Sequence, residues 1–328
     1  MVGDRIDPVP DAVSDMTDFP FFVLGHDRSG TTMLRLILDR GDVAVPPESM
    51  FLLDVDPGQP AEDVLRAAWN HPRVQLWGLP GEPPVVPAGL NGMDAFRFAV
   101  SAPFVAYAER EGKGRWGDKT PAYIGHVGRL AAIWPDARFV VLVRDGRDVA
   151  LSVMDVPFGP NNAWAAARSW ATAIRRGREA AARFRGRVLE VRYEDLVSKP
   201  AETVGALCDF LGLDYSDDML AIEETDRSKV VADQSAWFTN VWNGITTAAV
   251  GKWRTELTPR QIEIFETVAG DELRELGYET SDATASPALI PAYATHDAAM
   301  RGVNFVRLRL VQERGREVRH VLRRKLAR

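Results

Sequence analysis

Gly25-His26-Asp27-Arg28-Ser29-Gly30-Thr31-Thr32 lies between an apolar run, Phe21 to Leu24, and an amphipathic stretch, Met33 to Leu38. Glycines at the spacing of Gly25 and Gly30, between a strand and a helix start, make a phosphate cradle of the Walker A kind. Backbone N–H groups and the positive end of a helix face an anion there. Thr31 occupies the slot of the Walker lysine, and the cation of the loop, Arg28, precedes the second glycine by two residues. A displaced cation in an otherwise intact cradle points to an anion other than the β,γ-phosphates of ATP.

Two more polar clusters follow apolar runs. After Arg138 to Val143 come Arg144, Arg147 and Ser152; after Val188 to Val191 comes Tyr193. Arg144 and the Ser152 hydroxyl can hold a phosphate through charge-assisted hydrogen bonds. The plainer alternative is that Arg144 and Asp145 cap the next helix or pair with each other. A second anion site apart from the loop suggests a ligand with two anionic ends.

The elements that must carry these clusters alternate. Strands are expected at 21–24, 138–143 and 188–191, with a short strand ending in a polar turn over 115–121, and helices from Met33 to about Arg40 and over 94–110, 123–133, 163–184 and 200–211. The continuous apolar run 138–143 reads as a parallel strand covered on both faces. This pattern predicts an α/β fold, a doubly wound parallel sheet flanked by helices, with ligands at the carboxyl ends of its strands. The expected organisation is an arm at 1–18, a main domain at 19–281 with a Pro/Gly-rich, cap-like insertion at about 54–92, and a basic extension at 282–328, helical in part.

The chain has 328 residues and a formal net charge of −6. From Arg301 onward ten Lys/Arg face two Asp/Glu, so residues 1–300 carry 30 basic and 44 acidic side chains. An acidic body with a basic tail gives no nucleic-acid footprint, and the tail is the part suited to an anionic membrane, an acidic carrier protein or a second subunit. Cys208 is the single cysteine, expected as a buried core thiol, so no disulfide framework is available and a reducing compartment fits. With no apolar leader and no run of the ~20 apolar residues a membrane span needs, the expectation is a cytoplasmic protein.

The ordered set Arg28-Ser29-Gly30-Thr31-Thr32, Pro47-Glu48-Ser49, Gly117-Asp118-Lys119-Thr120-Pro121, Val143-Arg144-Asp145-Gly146-Arg147-Asp148-Val149-Ala150-Leu151-Ser152, Tyr193-Glu194-Asp195-Leu196 and Val250-Gly251-Lys252-Trp253 resembles the sulfotransferase family. The likeness runs from about Phe21 to Tyr278. It is nearest the bacterial branch and the tyrosylprotein sulfotransferases, which write the loop as Arg-Ser-Gly-Thr-Thr. The resemblance implies a P-loop NTPase-like sulfotransferase fold and 3′-phosphoadenosine 5′-phosphosulfate (PAPS) as co-substrate, leaving adenosine 3′,5′-bisphosphate.

It also implies roles. Arg28, Ser29, Gly30, Thr31 and Thr32 would hold the 5′-phosphate and the bridging oxygen of the phosphosulfate. Arg144 and Ser152 would hold the 3′-phosphate, Tyr193 would lie beside adenine, and Lys252, with Arg254 as understudy, would close over the nucleotide. Lys119 would serve the equatorial sulfuryl oxygens. Glu48 matches the glutamate that serves as base in the tyrosylprotein branch. The sulfuryl group carries less charge than a phosphoryl group, so fixed cations and N–H dipoles suffice and no metal is expected. The acceptor is expected to be a hydroxyl of a small molecule, glycan or lipid; Phe51, Trp69, Trp77, Trp237, Phe238 and Trp242 are an aromatic supply that suits its pocket, although each alone reads more readily as core. Two alternatives stand beside this reading: a P-loop kinase using ATP and Mg²⁺, with Asp145 as its metal-binding carboxylate, and a nucleotide-binding module without turnover.

Overall fold

β1, Phe21–Gly25, is buried at all five residues. It is followed in chain order by α1 (Thr31–Asp39), α2 (Ala61–Trp69), α3 (Pro72–Gln75), α4 (Gly92–Arg110), β2 (Gly117–Lys119), α5 (Val127–Ile133), β3 (Arg138–Val143), α6 (Gly146–Met154), α7 (Ala163–Arg183), β4 (Val188–Arg192), α8 (Tyr193–Ser198), α9 (Pro200–Leu211), α10 (Trp253–Glu256) and α11 (Pro259–Glu275). The computed structural model describes residues 20–79, 81–155, 159–222, 244–281, 285–286 and 291–300. The arm at 1–18, the tail from Arg301, and Trp237, Phe238 and Trp242 lie outside the described residues. The described residues form two compact units, one up to Arg144 with Ala173–Val250, the other Asp145–Thr172 with those from Gly251 on.

In the first unit four strands make one parallel sheet in the order β2-β1-β3-β4. Strands flanked by helices were the expected arrangement, and β1 and β3 lie side by side at its centre. Side chains alternate across it as the strand period demands. Phe21 and Val23 face a core with Leu34, Ile37 and Leu38 of α1 and Leu207, Cys208 and Leu211 of α9. Phe22 turns to the other face, where its ring meets Trp134 at 5.3 Å and Phe139 at 5.8 Å. Each fully buried Leu, Ile or Phe contributes roughly 1.5–3 kcal/mol, so the sheet is fixed from both faces. Gly117 opens β2 against the Phe21 ring, and a Cβ there would lie 2.4 Å from it.

Charged side chains inside this unit have structural tasks. Arg35 Nη1 donates to Val45 O at 2.9 Å and Asp39 Oδ1 accepts from Val45 N at 2.9 Å. They fasten the stretch that leads to Glu48. Arg115 donates to the carbonyls of Gly212 and Leu211, and Arg138 to that of Phe210, closing the end of α9. A cleft of about 720 Å³ opens beside these arginines at the amino-terminal ends of the strands, away from the glycine loop. Cys208 is a buried free thiol, as expected, and burial pushes its pKa up.

The second unit packs α6, α10 and α11 around a buried charge cluster. Arg147 sits between Asp145 at 2.8 Å and Glu266 at 2.7 Å, its guanidinium 3.6 Å from the centre of the Trp253 ring. Gly146 permits the approach, since a Cβ there would fall 2.5 Å from Trp170 and 2.6 Å from Phe265. Thr258 and Gln261 form a reciprocal capping box at the start of α11. Among the described residues no helix is long and apolar enough to cross a membrane.

Candidate active site

The loop after β1 has the geometry that its glycines predict. Gly25 has φ 150°, and a Cβ on it would lie 2.5 Å from the Leu142 carbonyl oxygen of β3. Gly30, at φ 97°, caps α1 in the left-handed region, and a Cβ there would strike the Tyr193 ring at 2.5 Å. Arg28 takes φ 68° without being glycine, and Ser29 N closes the turn on His26 O at 3.2 Å. No side chain caps the N-terminus of α1 and no acidic residue occupies its first turn. Orphan N–H groups and the helix dipole thus remain for an anion.

Glu48 and Lys119 meet beside this loop. Lys119, the last residue of β2, is 3% exposed. Its Nζ lies 2.7 Å from Glu48 Oε1 and 3.5 Å from Thr32 Oγ1. Burial raises the Glu48 carboxyl, but the charge and hydrogen bond of Lys119, with Arg73 and Arg35 behind them, outweigh burial and hold it below the usual glutamate range. Glu48 is therefore a carboxylate at neutral pH, able to take a proton.

Arg144, directly after β3, is buried. Its Nη1 donates to Arg28 O at 3.1 Å and its Nη2 to Ala249 O at 2.6 Å, with the guanidinium 4.5 Å from the centre of the Tyr193 ring. Tyr193 itself is buried in the core cluster under Gly30. The first unit thus brings together Arg28 to Thr32, Glu48, Lys119, Arg144 and Tyr193, at the carboxyl ends of all four strands.

Ser152, Lys252 and Arg254 stand in the second unit. Ser152 is a half-buried residue of α6. Lys252 is the N-cap of α10, its Nζ 3.7 Å from Glu256, and Arg254 lies over the Trp253 ring at 4.5 Å. Asp148 fixes this turn, accepting from Gly251 N at 2.7 Å and Trp253 N at 2.9 Å. Asp145 accepts from the backbone N, Nε and Nη2 of Arg147.

Phe51, Trp69 and Trp77 are core residues, the reading that each supports singly; they are 1%, 5% and 2% exposed. Phe51 and Trp77 pack on Phe104 with ring centres 5.7 and 5.2 Å apart. Large aromatic side chains gain most from full burial, and here α4 supplies the cover.

Four residues beside the site have a part that spacing alone did not reveal: Ser49, Asp118, Thr120 and Tyr123. The Asp118 carboxyl is fully buried, and burial pushes it up to about 7 against the pull of the Thr120 and Ser49 hydroxyls and the Lys119 charge. Being raised, this group contributes stability that is complete below about pH 4 and is lost as pH rises through about 7. Asp118→Asn removes this titration, so its stability relative to the parent is expected to rise from pH 4 to pH 8. Thermal melts across that range check it, and a pH-independent difference would contradict it.

Residues 20–217 match the model of the Sulfotransferase family. A putative protein-tyrosine sulfotransferase of Caenorhabditis briggsae is 29% identical over 269 residues, covering 79% of this chain and 89% of that one. Nodulation protein NoeE of Sinorhizobium fredii is 26% identical over 293 residues, covering 81% of this chain and 68% of its own length. Among solved structures, the sulfotransferase domain from the curacin biosynthetic pathway aligns with a TM-score of 0.57 at 19% identity, over 80% of this chain and 99% of that domain, a likeness of fold. With the family model covering most of the chain and the sheet and loop laid out as above, this protein belongs to the sulfotransferase family.

Proposed function

We propose that this sulfotransferase moves the sulfuryl group of PAPS to a hydroxyl of a small-molecule, glycan or lipid acceptor, by in-line transfer with Glu48 as general base. The observation that carries the reading is the meeting of Glu48, Lys119 and Thr32 around one ammonium, with 2.7 and 3.5 Å separations. A base, a cation and the first turn of an anion-binding helix are the three parts that such a transfer needs.

The loop fits the donor. Its glycines leave room for backbone approach, and the start of α1 lacks a side-chain cap. When bound, PAPS supplies an activated sulfuryl group on a phosphate leaving group. Arg28 and the N–H groups of Gly30 to Thr32 hold and neutralise the 5′-phosphate and bridging oxygen, and Ser29 lines the same turn. Lys119 serves the sulfuryl oxygens. Glu48 accepts the acceptor's proton as the new bond to sulfur forms. Arg144 is assigned to the 3′-phosphate, and the resemblance gives Ser152 and Lys252 nucleotide-binding roles by their matching positions. Tyr193 backs Arg144 and lies on the adenine side.

The kinase alternative asks Asp145 to hold Mg²⁺, yet that carboxylate is engaged three times by Arg147. The deciding measurement is calorimetric titration with adenosine 3′,5′-bisphosphate and with ATP, each with and without Mg²⁺. Preference for the bisphosphate in the absence of metal is expected; metal-dependent ATP binding indifferent to a 3′-phosphate would overturn the proposal. Arg144→Ala is expected to weaken the bisphosphate by roughly tenfold or more, the worth of a lost charged hydrogen bond, and AMP by much less. An equal loss for both ligands would remove Arg144 from the 3′-phosphate site.

A further inference from the structure

Glu48 stands on a segment that regular secondary structure does not hold. It follows Pro46 and Pro47 and precedes a residue of unusual backbone, Met50, at φ 57°. Among the described residues two non-glycines have positive φ, Arg28 in the glycine loop and Met50 beside the base. Such conformations persist only where the surroundings over-determine them.

The surroundings here are a buried knot of four polar side chains. Ser49 N donates to Thr120 Oγ1 at 3.1 Å, and Ser49 Oγ donates to Asp118 Oδ2 at 3.2 Å. The same hydroxyl lies 3.0 Å from Tyr123 OH, which in turn accepts from Leu52 N at 3.1 Å. Thr120 Oγ1 donates to Asp118 Oδ1 at 3.1 Å. Ser49, Asp118, Thr120 and Tyr123 are each 0% exposed. A network satisfied in this way rigidifies what it touches, whereas a partly satisfied one would be costly. Asp118 and Lys119 are neighbours on β2, so their side chains leave the strand on opposite faces. β2 thereby grips the Glu48 segment twice, Asp118 holding the Ser49 hydroxyl and Lys119 the Glu48 carboxylate.

We infer that Ser49, clamped by Asp118, Thr120 and Tyr123, is a positioning residue that sets the Glu48 carboxylate against Lys119. The inference rests on the reading of Glu48 as base, and it adds the device that aims it. The charged groups facing Glu48 are Lys119, Arg73 and Arg35, with Asp27 and Asp118 as like charges nearby. Loosening the clamp lengthens the contact with Lys119 first, so the carboxyl drifts back up.

The test follows the Glu48 carboxyl directly by ¹³C NMR of the full chain labelled at glutamate Cδ, its resonance assigned by disappearance in Glu48→Gln. In Ser49→Ala, and independently in Tyr123→Phe, the Glu48 midpoint is expected to rise by about half a pH unit or more, roughly threefold in proton affinity. Bisphosphate affinity should stay within about twofold, since neither residue faces the loop. A clamp with only a structural role would lower the melting temperature and leave that midpoint in place, and an unchanged midpoint in both variants overturns the proposal. Should Ser49→Ala not fold, Tyr123→Phe alone decides, because its ring and packing are kept. Failure of the underlying reading looks different: Glu48→Gln would then release bisphosphate from PAPS at the parent rate, whatever Ser49 does.

Discussion

Glu48→Gln is expected to lower turnover by about 10²–10⁴-fold, the usual worth of a positioned base, while nucleotide affinity stays within about twofold. The substitution is nearly isosteric. A glutamine Oε1 can still accept from Lys119 Nζ, 2.7 Å away in the parent, so the segment keeps its course and only the proton-accepting function is lost. The pH profile adds a second reading. In the parent, Glu48 is held below the usual glutamate range, so the acid limb of kcat/KM should lie below that of an ordinary glutamate. In the variant that limb should vanish from whatever activity is left. Unchanged turnover with a working acceptor would remove Glu48 from the mechanism.

Lys119→Ala ranks next, with an expected fall of about 10²–10³-fold from the loss of one fixed cation at the transferring group. It should also move the acid limb upward. With the ammonium gone, burial of the Glu48 carboxyl is opposed by the weaker pull of Arg73 and Arg35, so the proton is held more tightly. The stability consequence has a definite sign. A carboxylate with a lowered folded-state pKa stabilises above its unfolded pKa, and that contribution is lost as pH falls through the folded value. The parent's advantage over Lys119→Ala in thermal melts should therefore be full near neutrality and shrink below about pH 4. An acid limb that stays in place would mean that Lys119 does not govern Glu48, and the 2.7 Å contact would lose its functional meaning.

The loop, the strands and their order along the chain were legible because each rests on local signals. Glycine spacing, apolar runs and a helix start are written within a few residues of one another. α4 was legible too, although Pro103 lies inside it, because the surrounding apolar pattern outweighs one missing donor. The pairing of Glu48 with Lys119 was not legible from spacing: 71 positions separate them, and only the resemblance placed both in one site. The Ser49 clamp was hidden for the same reason, since serine, threonine and aspartate near prolines read equally well as an exposed turn. The aromatic residues read both ways, singly as core and together as a pocket lining. Nothing local to Phe51 or Trp77 says whether α4 will cover it, and in the fold it does.

Gly117 touches neither the base nor the loop, yet it decides whether a cation reaches them. β2 has three residues, in register Phe21↔Gly117 and Val23↔Lys119. On so short a strand a slip by one position would turn Lys119 to the opposite face of the sheet. The close seat of Gly117 on the Phe21 ring, where a Cβ would lie 2.4 Å away, acts as the detent for that register. A methyl group added there would have to displace the Phe21 ring or the strand that carries Lys119. The working part of this enzyme thus extends to a hydrogen atom two residues upstream of its lysine.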